Sequence, residues 1–146
     1  LSEDFAPHMT DPRVTAFRYE NLHPFHPDRV RLLLEHGFGA DTFGTILRSA
    51  GFCRFATRPG IVGSWDHVGR MISFDPLALD EQTPPGDVLA LGQDIAFIGI
   101  GLDRPRLTAA LDAAALTPAE MMAGPREWAG YVDPFPAWHV GTHPNH

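Results

Sequence analysis

The sequence predicts an α+β fold, with a small mixed or antiparallel sheet and helices packed on one face as two layers. Strand-like and helix-like segments alternate irregularly, and a hairpin-like cluster occupies the middle of the chain. Near the end, the apolar run at residues 95–100 passes within a few residues into an amphipathic helix. This irregular order argues against a doubly wound parallel sheet.

The first elements form a strand–turn–helix unit. Residues 1–13 are polar and aperiodic, which predicts a linker or arm, and residues 14–19 predict a strand. The prolines of residues 23–27 stiffen the following turn, and Pro27 suits the first position of a helix. Gly37 is the expected C-cap of that helix.

The middle of the chain predicts paired strands. Residues 45–47 and 52–57 have strand character, and we expect Gly51 between them to form a bend or bulge. Another strand is expected at residues 69–74. The stretch around residues 83–87 is rich in proline and polar residues and predicts a loop.

The last elements have clear capping signals. Asp103 follows the strand at residues 95–100 and is a good N-cap, because its carboxylate accepts from free N–H groups of the first turn. Thr117 and Glu120 have the spacing of a capping box for a short helix that ends by Gly124. We therefore expect one domain over residues 14–138, followed by a flexible histidine-bearing tail over residues 139–146.

Composition excludes several classes of protein. The chain of 146 residues has the size of one domain, and its net charge of −7 argues against nucleic-acid binding. It contains no lysine, so it holds neither a Walker A loop nor a Schiff-base lysine. The single cysteine forbids an internal disulfide, and no apolar run matches a membrane span or signal peptide. We expect a cytoplasmic protein, and the initial Leu1 suggests a piece of a longer chain.

The histidines raise the question of a metal site. In the tail, His139, His143 and His146 would supply three imidazoles for Zn²⁺ or cobalt, although a plain solvated tail is the simpler interpretation. His23 and His26 are either ligands or, more simply, a surface residue and a helix cap.

Other residues have both a chemical and a structural interpretation. His67 is a candidate general base oriented by the neighbouring Asp66 carboxylate, but a plain surface position is the simpler expectation. Cys53 sits in a predicted strand and is expected to be buried and inert. The three tryptophans are expected to be packing anchors. The Gly99-x-Gly101 turn has Arg104 where a dinucleotide fingerprint needs its third glycine. The turn therefore predicts a structural role and not a phosphate-binding loop.

Five segments in order resemble the C-terminal domain of CobW-like proteins. Each is similar in sequence to an element of that domain, and their order and spacing match it across about residues 14–138. The segments are HPFHPDRVRLLL (23–34), ILRSAGFCRFATRP (46–59), WDHVGRMISF (65–74), DIAFIGIGLDRPRLTAALDAAALTPAEM (94–121) and EWAGYVDPFPAW (127–138). Three positions depart from the family pattern. Ala50 replaces a lysine, Phe55 a tryptophan and His23 an arginine.

The resemblance implies an accessory domain that follows a P-loop GTPase domain in a metal chaperone for zinc or cobalt, including cobalt for cobalamin synthesis. GTP binding would belong to that preceding domain, and no catalytic or cofactor residue is transferred to this chain. The implied partners are the N-terminal GTPase domain and a metalloprotein client, with neither nucleic acid nor membrane. Two alternatives stay open: a stand-alone protein-interaction module, and a metal hydrolase that would need His23, His26 or His67 to converge with a carboxylate.

Overall fold

A five-stranded antiparallel sheet forms the framework of the described chain, and the strand order is β1-β5-β2-β3-β4. The computed structural model describes residues 13–38, 42–69, 71–79 and 92–138. The strands are β1 (Val14–Asn21), β2 (Thr45–Cys53), β3 (Ile61–Val68), β4 (Met71–Leu79) and β5 (Gln93–Ile100). Strands β2, β3 and β4 form a meander, and β5 lies between β1 and β2. The predicted α+β class is confirmed.

Four helices accompany the sheet in the described residues. They are α1 (Pro27–Leu33), which runs into a π-helical turn (Leu34–Phe38), α2 (Arg104–Ala114), α3 (Pro118–Ala123) and α4 (Pro125–Trp128). Among the described residues, these helices fall short of the length and apolar character that a bilayer-crossing helix requires.

The helices cover one face of the sheet. Along β1 and β5 the buried residues alternate with more accessible ones, as expected when only one face is packed. Phe97 on β5 stacks on Phe17 of β1, with ring centroids 5.3 Å apart. Leu107 and Leu111 of α2 are fully buried in the same core. The opposite face, which we call the open face, has no helix packed on it among the described residues.

The capping predictions are confirmed. The carboxylate of Asp103 accepts from the backbone N–H of Arg106 at 3.1 Å and so begins α2. Thr117 and Glu120 form both hydrogen bonds of a capping box at the start of α3, which ends at Gly124. These contacts are local, so a short stretch of sequence suffices to predict them.

Two predictions around glycine are wrong. Gly37 does not end α1, because the chain continues through the π-helical turn that contains it. Gly51 is not a bulge: β2 is continuous, and its register shifts between Ile46 and Arg48 instead. At Gly51 an added Cβ would lie 2.1 Å from the Asp94 carbonyl oxygen, so glycine permits close approach of the two strands.

Strand boundaries also differ from expectation. The strand expected over residues 52–57 ends at Cys53, and Phe55 forms an isolated parallel bridge with Phe25 instead. The strand expected over residues 69–74 runs over Met71–Leu79. The loop expected around residues 83–87 lies outside the described residues.

Candidate interaction surface

The open face is organised into rows by the strand register. One row crosses all five strands through Ala16, Ile98, Arg48, Val68 and Met71. The next row toward the amino end of β1 pairs Val14 with Ile100 and Thr45. These two rows place most of the apolar side chains of the open face at one end of the sheet.

The register shift in β2 adds a further apolar side chain at this end. Leu47 and Arg48 are both exposed although they are consecutive, because the bulge turns both toward the open face. Leu47, Val68 and Met71 are 42%, 55% and 80% exposed. We call the following seven residues the apolar band: Val14, Ala16, Leu47, Val68, Met71, Ile98 and Ile100.

The other end of the open face is charged. Arg18 donates to both carboxylate oxygens of Asp94, at 2.6 and 2.5 Å, and approaches Glu20 at 3.5 Å. The hydrogen bonds and charge of Asp94 raise the pKa of Arg18, with a smaller contribution from Glu20. The guanidinium of Arg18, whose side chain is 63% exposed, is therefore charged at every physiological pH.

Position 50, where the family resemblance leads one to expect lysine, lies on the open face. Ala50 pairs with Ala96 on one side and with Asp66 on the other. A lysine here would stand beside an exposed carboxylate. With alanine at position 50, this part of the candidate interaction surface has no cation opposite Asp66 in β2. By contrast, Phe55 is buried in the core.

His67 is not a surface residue, contrary to expectation. It is 2% exposed and lies in a buried chain of hydrogen bonds. Trp65 Nε1 donates to Ser49 Oγ at 2.9 Å, Ser49 Oγ contacts His67 Nδ1 at 3.2 Å, and His67 Nε2 contacts the Gly69 carbonyl at 2.8 Å. Both ring nitrogens are engaged. The sequence does hold a signal for this burial. Trp65 and His67 are two residues apart in one strand, so their side chains share a face of the sheet.

His23 and His26 have separate structural surroundings. His23 Nδ1 lies 2.7 Å from the Leu116 carbonyl oxygen. His26 occupies the N-cap position of α1, as expected, but its side chain makes no capping hydrogen bond. Instead it stacks on Tyr131 with ring centroids 4.6 Å apart.

No metal-binding group is formed in the described part of the chain, which means that no three His, Cys, Asp or Glu side chains come together there. His139, His143 and His146 lie outside the described residues, so the tail site stays a prediction. The expected burial of Cys53 is confirmed: it is 0% exposed, and desolvation raises the pKa of its thiol to about 12. A protonated, inaccessible thiol is a poor metal ligand.

An ion pair that the sequence does not predict holds the C-terminal segment, residues 131–138, against the rest of the domain. Arg58, after β2, pairs with Asp133 and lies 4.5 Å from the Trp138 ring centroid. A cavity of about 540 Å³ lies beside the segment, lined in part by Arg58 and Tyr131, and a second of about 480 Å³ adjoins Phe74 on β4.

The tryptophans pack as expected: Trp65 is in the core, while Trp128 and Trp138 donate to the carbonyls of Glu120 and Phe74.

Comparison with known proteins identifies relatives of this chain. Residues 14–115 match the family model described as the cobalamin synthesis protein cobW C-terminal domain. The zinc-regulated GTPase metalloprotein activator 1 of Dictyostelium discoideum is 24% identical over 147 residues, which cover 88% of this chain and 30% of that protein.

Solved structures share the fold. The Zn(II)-bound YjiA GTPase from E. coli aligns with a TM-score of 0.57 and 18% identity, covering 71% of this chain and 30% of that one. A Zn(II)-bound triple mutant of YjiA aligns with a TM-score of 0.55 and 21% identity over the same shares. The chain therefore spans about 30% of the length of the relatives it matches.

Proposed function

Because the chain belongs to the family of CobW C-terminal domains, we propose that it is the accessory domain of a GTP-dependent metal chaperone. The observation that carries this proposal is the family match over residues 14–115. The metalloprotein activator supports it, since 88% of this chain corresponds to only 30% of that GTPase. The GTP-binding part would lie in the remainder of such a protein.

The domain works through contact with other protein surfaces in this proposal. The helices cover only one face of the sheet, and the open face carries apolar side chains with up to 80% exposure. Exposed apolar patches on a sheet mark protein interaction sites. The proposed partners are the GTPase domain of the same polypeptide and a metalloprotein client that receives the metal.

Zinc is the cargo that we propose first, with cobalt as the alternative. The relatives are described as zinc-regulated and as Zn(II)-bound. In this chain the candidate ligands are His139, His143 and His146, which would assist metal handling from outside the packed domain. Imidazole suits both metals, so the residue types alone do not choose between them.

The proposal is tested first on the complete reading frame that encodes this chain. We expect a GxxxxGK[ST] motif upstream, GTP hydrolysis by the full product, and loss of hydrolysis when the motif lysine is changed to alanine. The 146-residue chain alone is expected to show no turnover, because it has no lysine for a Walker A loop. Zinc transfer from the full product to a zinc-free client enzyme is then followed by recovery of the client's activity.

Two outcomes would overturn the proposal. A reading frame that begins near Leu1 and encodes no GTPase motif would favour the stand-alone interaction module. GTP hydrolysis by the pure chain would show that its chemistry has been misassigned.

A further inference from the structure

The apolar band occupies a defined place on the open face. One of its two rows crosses the sheet from β1 at one edge to β4 at the other, and the second row spans β1, β5 and β2. Met71 and Val68 lie opposite each other at the β3–β4 hairpin, and they are 80% and 55% exposed. Large apolar side chains in contact on an uncovered sheet favour burial against another surface.

The size of the band argues for a tethered occupant. A stable interface between independent proteins uses about 20–30 residues on each side. The band has only seven, and Arg48 interrupts it. A second copy of this chain or a free partner would therefore gain little affinity from it. A domain in the same polypeptide needs less contact, because a linker holds it at a local concentration of about millimolar.

The path of the chain leads to the same occupant. Val14 is both the first residue of β1 and a member of the apolar band. The sheet therefore begins, at Val14, at the apolar end of the open face and not at the charged end where Glu20 and Asp94 pair. A domain that precedes β1 would therefore be joined to the sheet beside the band.

We propose that the apolar band is the surface on which the GTPase domain of the same polypeptide docks, an inference that rests on the proposed function. Docking would cover Leu47, Val68 and Met71 with apolar side chains. It would also bring the exposed Asp66 close to the docked domain. The surface that occupies the band is accordingly expected to be apolar at its centre and basic on the side facing Asp66.

Accessibility of an introduced thiol tests this inference. Met71→Cys places a thiol in the band, and Met122→Cys is the matched control on α3, because Met122 is also a highly exposed methionine at 88%. Cys53 is 0% exposed and will not compete for the reagent. Maleimide labelling of each position is measured by peptide mass spectrometry, both in this chain and in the product of the complete reading frame. Val68→Cys gives an independent second probe of the band.

We expect equal labelling of both positions in this chain alone. In the full product, labelling at position 71 is expected to slow by about tenfold or more, while position 122 stays unchanged. Unchanged labelling at positions 71 and 68 in a full product that hydrolyses GTP would overturn the inference and leave the proposed function intact. Protection in this chain alone that grows with its concentration would assign the band to a second copy, and also overturn it. A reading frame without a GTPase domain would end both proposals.

Discussion

Arg58 donates two hydrogen bonds of 2.9 Å to Asp133, from Nε to Oδ2 and from Nη2 to Oδ1. Nη2 also donates to the Phe135 carbonyl at 2.9 Å. The two side chains are 9% and 18% exposed. Burial alone would raise the pKa of Asp133, but the hydrogen bonds from Arg58 and Thr57 hold that pKa below its ordinary value. The pair therefore stays ionised and fastens the C-terminal segment to the chain after β2.

We predict that Arg58→Ala lowers the free energy of unfolding by about 3 kcal/mol, because it leaves the Asp133 carboxylate largely buried without its counterion. Urea unfolding at neutral pH measures the loss. Arg126→Ala is the matched control, since Arg126 is an exposed arginine on α4. A loss no larger than that of the control would contradict a structural role for the pair.

Local and distant contacts differ in how far the sequence predicts them. The caps of Asp103 and Thr117 join residues three apart, so the pattern alone indicates them. Arg58 and Asp133 are 75 residues apart, and no pattern in the sequence around either residue indicates that they pair. Only the fold brings them together.

The open face also depends on contacts between residues that are distant in the sequence. Alternation predicts which residues of a strand share a face, but the register decides which strands stand side by side. The bulge at Leu47 shifts that register, and it has no proline or glycine of its own to indicate it. The apolar band could therefore not be assembled from the sequence, although the sheet with helices on one face could.

We predict that Gly63→Ala loosens the C-terminal segment. An added Cβ at Gly63 would lie 2.4 Å from Cη2 of Trp138, so the ring must move away from its place over Arg58. Overpacking of this kind costs about 1–3 kcal/mol. The unfolding free energy and the rate of proteolysis within residues 131–138 measure the effect. Gly130→Ala is the control, because its nearest neighbour would be at 3.6 Å; equal behaviour of the two variants would refute the prediction.

We predict that Ser49→Ala destabilises the core by roughly 2 kcal/mol, because it leaves polar groups buried without partners. The Trp65 Nε1–H loses its acceptor, and His67 Nδ1 loses its partner. Chemical unfolding gives the size of the loss. Ser73→Ala on β4 is the matched control, since Ser73 is exposed on the open face. If both serine variants unfold at the same urea concentration, the buried chain of hydrogen bonds contributes no stability.

The same chain of hydrogen bonds predicts a dependence on pH. Desolvation lowers the pKa of His67, although the Gly69 carbonyl and Asp66 act in the opposite direction. The unfolded state, with an imidazole pKa of about 6.5, therefore binds a proton more readily than the folded state does. Stability is fully present above that pH and falls as the pH drops below it.

We expect the free energy of unfolding to fall between pH 7 and pH 5 by more in the original chain than in His67→Gln, because glutamine does not titrate in this range. The pKa of His26 is also lowered, first by desolvation and then by Arg29, so part of the pH dependence belongs to that residue. His26→Gln serves as the control and should retain the contribution of His67. A pH dependence that His67→Gln leaves unchanged would disprove the assignment.

The last prediction concerns the histidines of the tail. We expect His139, His143 and His146 to bind Zn²⁺ with a dissociation constant of about micromolar or weaker, because three imidazoles must be ordered around the ion on binding. Calorimetric titration of this chain with zinc, beside the triple variant with alanine at all three positions, measures the contribution of the tail. His36→Ala is the control, since His36 is an exposed histidine in the π-helical turn. We expect the triple variant to lose the binding heat and the control to keep it; identical isotherms for all three proteins would exclude a zinc site in the tail.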